Sequence, residues 1–129
     1  MYGPFRDAIS ASSNLGEDKK KSYQMDISNI NEALRGASMD IKEGADILLV
    51  KPGIMYLDVL KEIKNTFKFP TFSYQVSGEY TMIKNSIMSK TFKEQDILLE
   101  TALCFKRAGA DAIISYFALD IAKLLKQGI

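Results

Sequence analysis

Apolar and polar positions along the chain switch several times between a helical period and short continuous runs. From Asn29 onward, Ile30, Ala33, Leu34, Ala37 and Ile41 recur at helical spacing. Asn29 and Glu32 have the spacing of a capping box, and Gly44 reads as the stop. Ile47-Leu48-Leu49-Val50 is then a continuous apolar run between Asp46 and Lys51-Pro52-Gly53, which suits a parallel strand buried on both faces. Helical spacing returns from Met55 to Phe67 through Leu57, Leu60 and Ile63. Pro70 opens a second strand, Thr71 to Gln75, and a short helix follows over Glu79 to Met88. Thr91 and Glu94 read as another capping box ahead of an amphipathic helix from Ile97 to Arg107. Gly109 ends that helix, Ala112 to Tyr116 reads as a third strand, and residues 118–126 as a last helix.

Residues 7–27 lack either period. They hold a small polar stretch (Ser10 to Asn14), Gly16 and the run Lys19-Lys20-Lys21. A loop of ~20 residues inside a compact domain points to a lid, a binding loop or disorder.

One junction occurs twice. Gly44-Ala45-Asp46-Ile47-Leu48-Leu49 and Gly109-Ala110-Asp111-Ala112-Ile113-Ile114 are each a helix stop, a polar hinge and a strand. Strands that alternate with helices favour a parallel sheet, either open and doubly wound or closed into a barrel. No G-x-G-x-x-G and no Walker-type loop follows a strand, which counts against the nucleotide-binding open sheets. Three strand–helix units cannot close an eight-stranded barrel, so the barrel reading makes this chain part of a larger one. Met1 directly before Tyr2-Gly3-Pro4-Phe5-Arg6 agrees with a truncated start.

Composition narrows the chemistry. Of 129 residues, 47% are apolar and 26% charged, a globular mix. Seventeen basic against sixteen acidic residues give a net charge of +1, so nothing here calls for nucleic acid or an anionic membrane. No apolar run is long enough for a bilayer, and no secretory signal is visible. Histidine is absent, which removes Ser-His-Asp and Cys-His catalysis and His-ligated metal from this segment. The single cysteine, Cys104, reads as a small buried hydrophobe in a helix, and one cysteine points to a reducing compartment. Lys, Arg, Tyr, Ser and carboxylates remain.

In β/α barrels the reactive groups sit at C-terminal strand ends. The first apolar run ends in Lys51, the second in Tyr74-Gln75-Val76-Ser77-Gly78-Glu79, and the third in Ser115-Tyr116, which brings an amine and several hydroxyls to one face. A lysine closing an apolar strand is partly desolvated, which favours the neutral amine that attacks carbonyls. The competing reading is a lysine that marks the strand end and reaches water. Ser77 and Tyr116 are hydroxyls suited to a carboxylate beside the amine, or else a turn serine and a half-buried strand tyrosine. Glu79 reads as a first-turn charge complementing the helix dipole, or as an ion-pair partner of Lys51. Arg6, Lys20 and Gln24, in or beside the long loop, could clamp a second anion, or form a solvated face.

Several motifs together resemble one family. Tyr2-Gly3-Pro4-Phe5-Arg6-Asp7, Ser22-Tyr23-Gln24-Met25, Val50-Lys51-Pro52-Gly53, Tyr74-Gln75-Val76-Ser77-Gly78-Glu79-Tyr80 and Phe105 to Asp111 running on to Ser115-Tyr116-Phe117 are similar to porphobilinogen synthase, also called delta-aminolevulinic acid dehydratase. The similarity runs in order over nearly the whole chain. It implies the C-terminal portion of a (β/α)8 TIM barrel: residues 1–27 an N-terminal motif and active-site lid loop, residues 28–129 the β/α units. It implies a lyase that condenses two 5-aminolevulinate molecules to porphobilinogen through Schiff-base lysines, in tetrapyrrole and haem biosynthesis. Lys51 matches the second lysine; the first lies upstream of Tyr2 in the family. Ser77 and Tyr116 match the residues that bind the carboxylate of the substrate held at Lys51. Arg6, Lys20 and Gln24 match residues around the other substrate, Lys19 being a competing alignment for Lys20. Lys20 stands where the family has arginine, which keeps the charge without the bidentate fork. Gly36 stands where many relatives carry a glutamate for an allosteric magnesium.

No metal ligand or cofactor site is implied within this segment, and zinc or magnesium belongs to the family's N-terminal half. The resemblance further implies a homo-octamer and a cytoplasmic enzyme, or an organellar one in a plastid-bearing eukaryote. The alternatives are another Schiff-base barrel enzyme of the class I aldolase kind, and an inactive fragment. The segment alone is expected to be inactive.

Overall fold

A computed structural model describes residues 25–128. Helix α1 (Ile30–Lys42) leads to strand β1 (Leu48–Val50). A short 310 turn (Ile54–Tyr56) runs into α2 (Leu57–Phe67), then β2 (Thr71–Gln75) and α3 (Ser77–Met88). Helix α4 (Glu94–Ala108), β3 (Ala112–Ser115) and α5 (Ala118–Lys126) complete the order.

The strands form one parallel sheet in the order β1-β2-β3. Sequential order without reversal gives no topological switch point of the kind a doubly wound sheet needs. This is an α/β arrangement with the strand order of part of a β/α barrel.

The register explains the core. Val50, Ser73 and Ile113 are paired across the sheet, with Leu48 and Thr71 one step of the pleat earlier on the same face. On that face Leu48 and Val50 pack with Ala33 and Ala37 of α1, Val59, Leu60 and Ile63 of α2, and Phe105 and Ala108 of α4. Ile83, Leu98, Phe117 and Leu124 make a second cluster where α3, α4 and α5 meet.

The opposite face differs from the sequence expectation. Leu49 lies in register with Phe72, and it is 50% exposed while its neighbours Leu48 and Val50 are buried. Strand β1 is therefore covered on one face only among the described residues. The apolar run carries Leu49 because that face also needs a cover, which the described residues do not provide.

Neither predicted capping box forms. Glu32 instead accepts from the Asp26 amide at 3.2 Å, and the Asn29 side chain makes no cap. The Asp26 carboxylate turns the chain by accepting from the amide and hydroxyl of Ser28, at 2.8 and 2.7 Å. Glu94 pairs with Lys84 at 3.5 Å, and Thr91 shares a hydrogen bond with Ser89. Helix α4 starts earlier than its apolar periodicity, at Glu94, and α3 starts at Ser77 rather than Glu79. Cys104 is half-buried rather than buried, and its sulfur accepts from Arg107 at 3.3 Å.

The repeated Gly-Ala-Asp junction has a structural reason at its second copy. Gly109 caps α4 at φ 108, a left-handed conformation that costs glycine nothing. Asp111 then accepts from the Thr71 amide at 2.7 Å and from Lys64 Nζ at 2.6 Å, tying β3 to β2 and α2. The Lys64 hydrogen bond, and next the Thr71 amide, hold the Asp111 carboxyl below its ordinary value. A carboxyl with a depressed folded pKa adds stability above its unfolded value, near pH 4, and that stability is lost as pH falls through the folded value. Asp111→Asn is therefore expected to lower the melting temperature at neutral pH and to leave it closer to the parent's in acid. Melting curves across pH 2–7 check this.

Candidate active site

The strand register brings three of the chemically interesting residues to one rim. Tyr74 pairs with Ile114, on the exposed face that also carries Leu49 and Phe72. Lys51 follows the end of β1 and Tyr116 the end of β3, so both flank Tyr74 at the C-terminal end of the sheet. Lys51 Nζ lies 5.4 Å from the centroid of the Tyr74 ring. The Tyr74 and Tyr116 hydroxyls are 3.3 Å apart. The row continues through Tyr80, whose ring centroid is 5.4 Å from that of Tyr116 and 4.5 Å from that of the buried Phe117.

Lys51 is exposed, not partly dried as its position in the sequence predicts. The reason is the one that leaves Leu49 open: its face has no covering layer among the described residues. Tyr116 is also more open than expected, at 56%. Its hydrogen bond with Tyr74, and then the Tyr74 charge, push the Tyr116 phenol above its ordinary value, while Lys51 pulls the other way. Tyr74→Phe removes the partner and is expected to bring Tyr116 down towards an ordinary phenol. Alkaline titration of tyrosine absorbance, parent against Tyr74→Phe, measures the shift.

Ser77 sits in the first turn of α3, exposed, and its carbonyl accepts from the Thr81 hydroxyl at 2.9 Å. It is thus at the end of β2, between the ends that carry Lys51 and Tyr116. Arg6, Lys20, Gln24 and the alternative Lys19 lie outside the described residues.

Glu79 has a larger role than its position in the helix suggests. It is 2% exposed. One carboxylate oxygen accepts from the amides of Ile54 at 2.7 Å and Met55 at 3.4 Å. The other accepts from Val76 at 3.1 Å and Gly53 at 3.4 Å. Gly53 is pressed against the core: a Cβ there would stand 2.6 Å from Phe105 Cε1 and 2.9 Å from Ser73 Oγ.

The sequence set Tyr74 at a strand end but assigned its ring no role, and the reach of Glu79 was not foreseen. Alternation along Phe72-Ser73-Tyr74-Gln75 carries the signal for Tyr74, because it sets that ring on the face opposite buried Ser73 and Gln75. The Glu79 contacts to Gly53, Ile54 and Met55 join residues 24 to 26 positions apart and have no local signature.

A primary amine, an aromatic face and hydroxyls on one rim can do carbonyl chemistry. The amine can add to a ketone, the ring can lie against a cationic imine, and the hydroxyls can donate to a carboxylate. Among the described residues no group of three or more His, Cys, Asp or Glu is gathered for a metal ion. No helix among them is long and apolar enough to cross a membrane.

Comparison with known proteins gives a consistent picture. The family model of Delta-aminolevulinic acid dehydratase matches residues 1–124. The chain is 52% identical over 129 residues to Delta-aminolevulinic acid dehydratase of Bradyrhizobium diazoefficiens, covering 99% of this chain and 36% of the relative. It is 48% identical over 127 residues to the Bacillus subtilis protein of that name, covering 98% of this chain and 39% of the relative. It is 48% identical over 125 residues to the chloroplastic protein of Spinacia oleracea, covering 97% and 28%. A crystal structure of delta-aminolevulinic acid dehydratase from Toxoplasma gondii, in complex with the reaction product porphobilinogen, superposes with a TM-score of 0.86 at 48% identity. That match covers 99% of this chain and 36% of the solved one. The chain thus spans about a third of the length of the relatives it matches.

Proposed function

Because the chain belongs to the delta-aminolevulinic acid dehydratase family, we propose that the intact protein condenses two molecules of 5-aminolevulinate to porphobilinogen, and that this segment is the C-terminal part of its (β/α)8 barrel. Residues 1–27 serve as N-terminal motif and lid, and residues 28–129 as the β/α units. The observation that carries the reading is the rim itself, with Lys51 Nζ 5.4 Å from the Tyr74 ring and the Tyr74 hydroxyl 3.3 Å from that of Tyr116.

In this reading the neutral Lys51 amine adds to the ketone carbon of one 5-aminolevulinate. A proton moves from nitrogen to the former carbonyl oxygen, the resulting hydroxyl takes a second proton from solvent and leaves as water, and a protonated C=N bond links substrate to Lys51. The Tyr74 ring lies against the cationic imine. Ser77 and Tyr116 donate hydrogen bonds to the substrate carboxylate. Holding the acid at two strand ends orients the ketone towards the amine, which lowers the entropic part of the barrier. Arg6, Lys20 and Gln24 grip the second substrate from the lid. The lid and the remaining strands cover the open face and exclude the water that would hydrolyse the imine.

The described residues do not fit a metal ion, so no step is drawn through one; zinc or magnesium, where used, is held by residues beyond this segment. The intact protein is a homo-octamer of the cytoplasm or of a plastid, the spinach relative being chloroplastic by name. Incubation of the intact protein with 5-aminolevulinate tests the activity. Porphobilinogen should accumulate; a folded protein that consumes no 5-aminolevulinate contradicts the reading.

A further inference from the structure

We infer that Glu79 is a positioning residue, which fixes the strand end carrying the Lys51 amine against the one carrying Ser77. The inference rests on Lys51 being the reactive amine.

Both ends of the argument are in its hydrogen bonds. Gly53, Ile54 and Met55 directly follow Lys51-Pro52, and their amides open the 310 turn that leads into α2. Val76 directly precedes Ser77 and opens α3. The first amides of a helix have no partner within it and need one elsewhere. A single buried carboxylate supplies that partner to two chain segments at once. It thereby joins the end of β1 to the end of β2 above the last residues that pair the strands directly, Val50 with Ser73. Beyond that pair the sheet ladder no longer sets where Lys51 stands relative to Ser77. Glu79 takes over where the ladder stops.

The chemistry of the group matters. A carboxylate is acceptor-only, and its two oxygens match converging N–H donors. Glutamine has the same shape, but its NH2 would face amides that also donate. Glu79→Gln should therefore loosen the clamp while adding no bulk. Aspartate keeps the acceptors on a shorter stem.

The test compares Glu79→Gln and Glu79→Asp with the parent in the intact protein, at a temperature where circular dichroism shows each to be folded. Borohydride trapping of 5-aminolevulinate at Lys51, read by peptide mass spectrometry, is followed together with KM and kcat. Glu79→Gln should trap roughly 10- to 100-fold more slowly and show a raised KM, as a small misplacement of reacting groups does. Glu79→Asp should recover part of the loss. A residue that only stabilises the fold would leave both readouts unchanged below the melting temperature. Trapping and KM of folded Glu79→Gln within about twofold of the parent therefore overturn the inference. Should neither variant fold, amide hydrogen exchange of the parent decides: slow exchange at Gly53, Ile54 and Met55 supports the clamp, and exchange at the rate of an open loop overturns it. An unlabelled Lys51 in an active parent removes the underlying reading as well, and is recognised because it appears before any substitution.

Discussion

Lys51→Ala in the intact protein is expected to abolish porphobilinogen formation and leave the melting temperature nearly unchanged. The two halves of this expectation come from different observations. Lys51 is exposed and follows the last residue of β1, so its removal takes nothing from the core. Lys51 belongs to neither core cluster, so the change in stability stays within about 1 kcal/mol. Among the described residues Tyr74 and Tyr116 beside it offer only hydroxyls, which cannot form the imine. Loss of a covalent nucleophile costs on the order of 10⁴-fold or more in turnover. Lys51→Arg keeps a cation near the Tyr74 ring but cannot form an imine at neutral pH, and should be as inactive as alanine. Turnover and melting curves on the same preparations check both halves.

Gly53→Ala is expected to have the opposite profile, a large loss of stability. The added methyl group would meet Phe105 Cε1 at 2.6 Å, Phe105 Cζ at 2.8 Å and Ser73 Oγ at 2.9 Å. Neither neighbour has room to yield, since Phe105 is 1% exposed and Ser73 is fully buried at the centre of the sheet. Overpacking of this kind costs about 1–3 kcal/mol, and this site belongs at the upper end because a ring in the middle of the core must move. The backbone at Gly53 has a negative φ of −94°, so the requirement is space and not conformation. Displacement of Gly53 also pulls on the Glu79 hydrogen bond, so the surviving folded fraction should show impaired trapping at Lys51. Chemical denaturation measures the first effect.

How much of this was legible in the sequence depended on whether the deciding contact was local. Strand β2 and helix α5 lie where their apolar patterns end, because Pro70 and the 118–126 periodicity are local signals. The Gly109 stop was legible for the same reason, since a left-handed cap needs that residue type. The capping boxes failed because a Ser/Thr/Asn-x-x-Glu spacing does not fix which partner the glutamate takes. Glu32 found the Asp26 amide and Glu94 found Lys84. The open face of β1 could not be foreseen from Ile47 to Val50, because an apolar run states what a strand needs and not what is present to cover it.

The rim followed the same division. Strand ends located Lys51 and Tyr116, whereas the start of α3 lies at Ser77, two residues before the Glu79 start that the sequence suggested. The Tyr74 ring between Lys51 and Tyr116, and the Glu79 carboxylate on the amides of Gly53 to Met55, depend on register and on contacts across more than twenty residues. Such contacts are invisible until the strands are paired.

The most direct measurement is borohydride reduction of the intact protein with 5-aminolevulinate, followed by peptide mapping. The account predicts a mass increment on the peptide that contains Lys51, lost in Lys51→Ala. A catalytically active protein whose Lys51 peptide stays unmodified, with no adduct or with all adducts on other lysines, would contradict it.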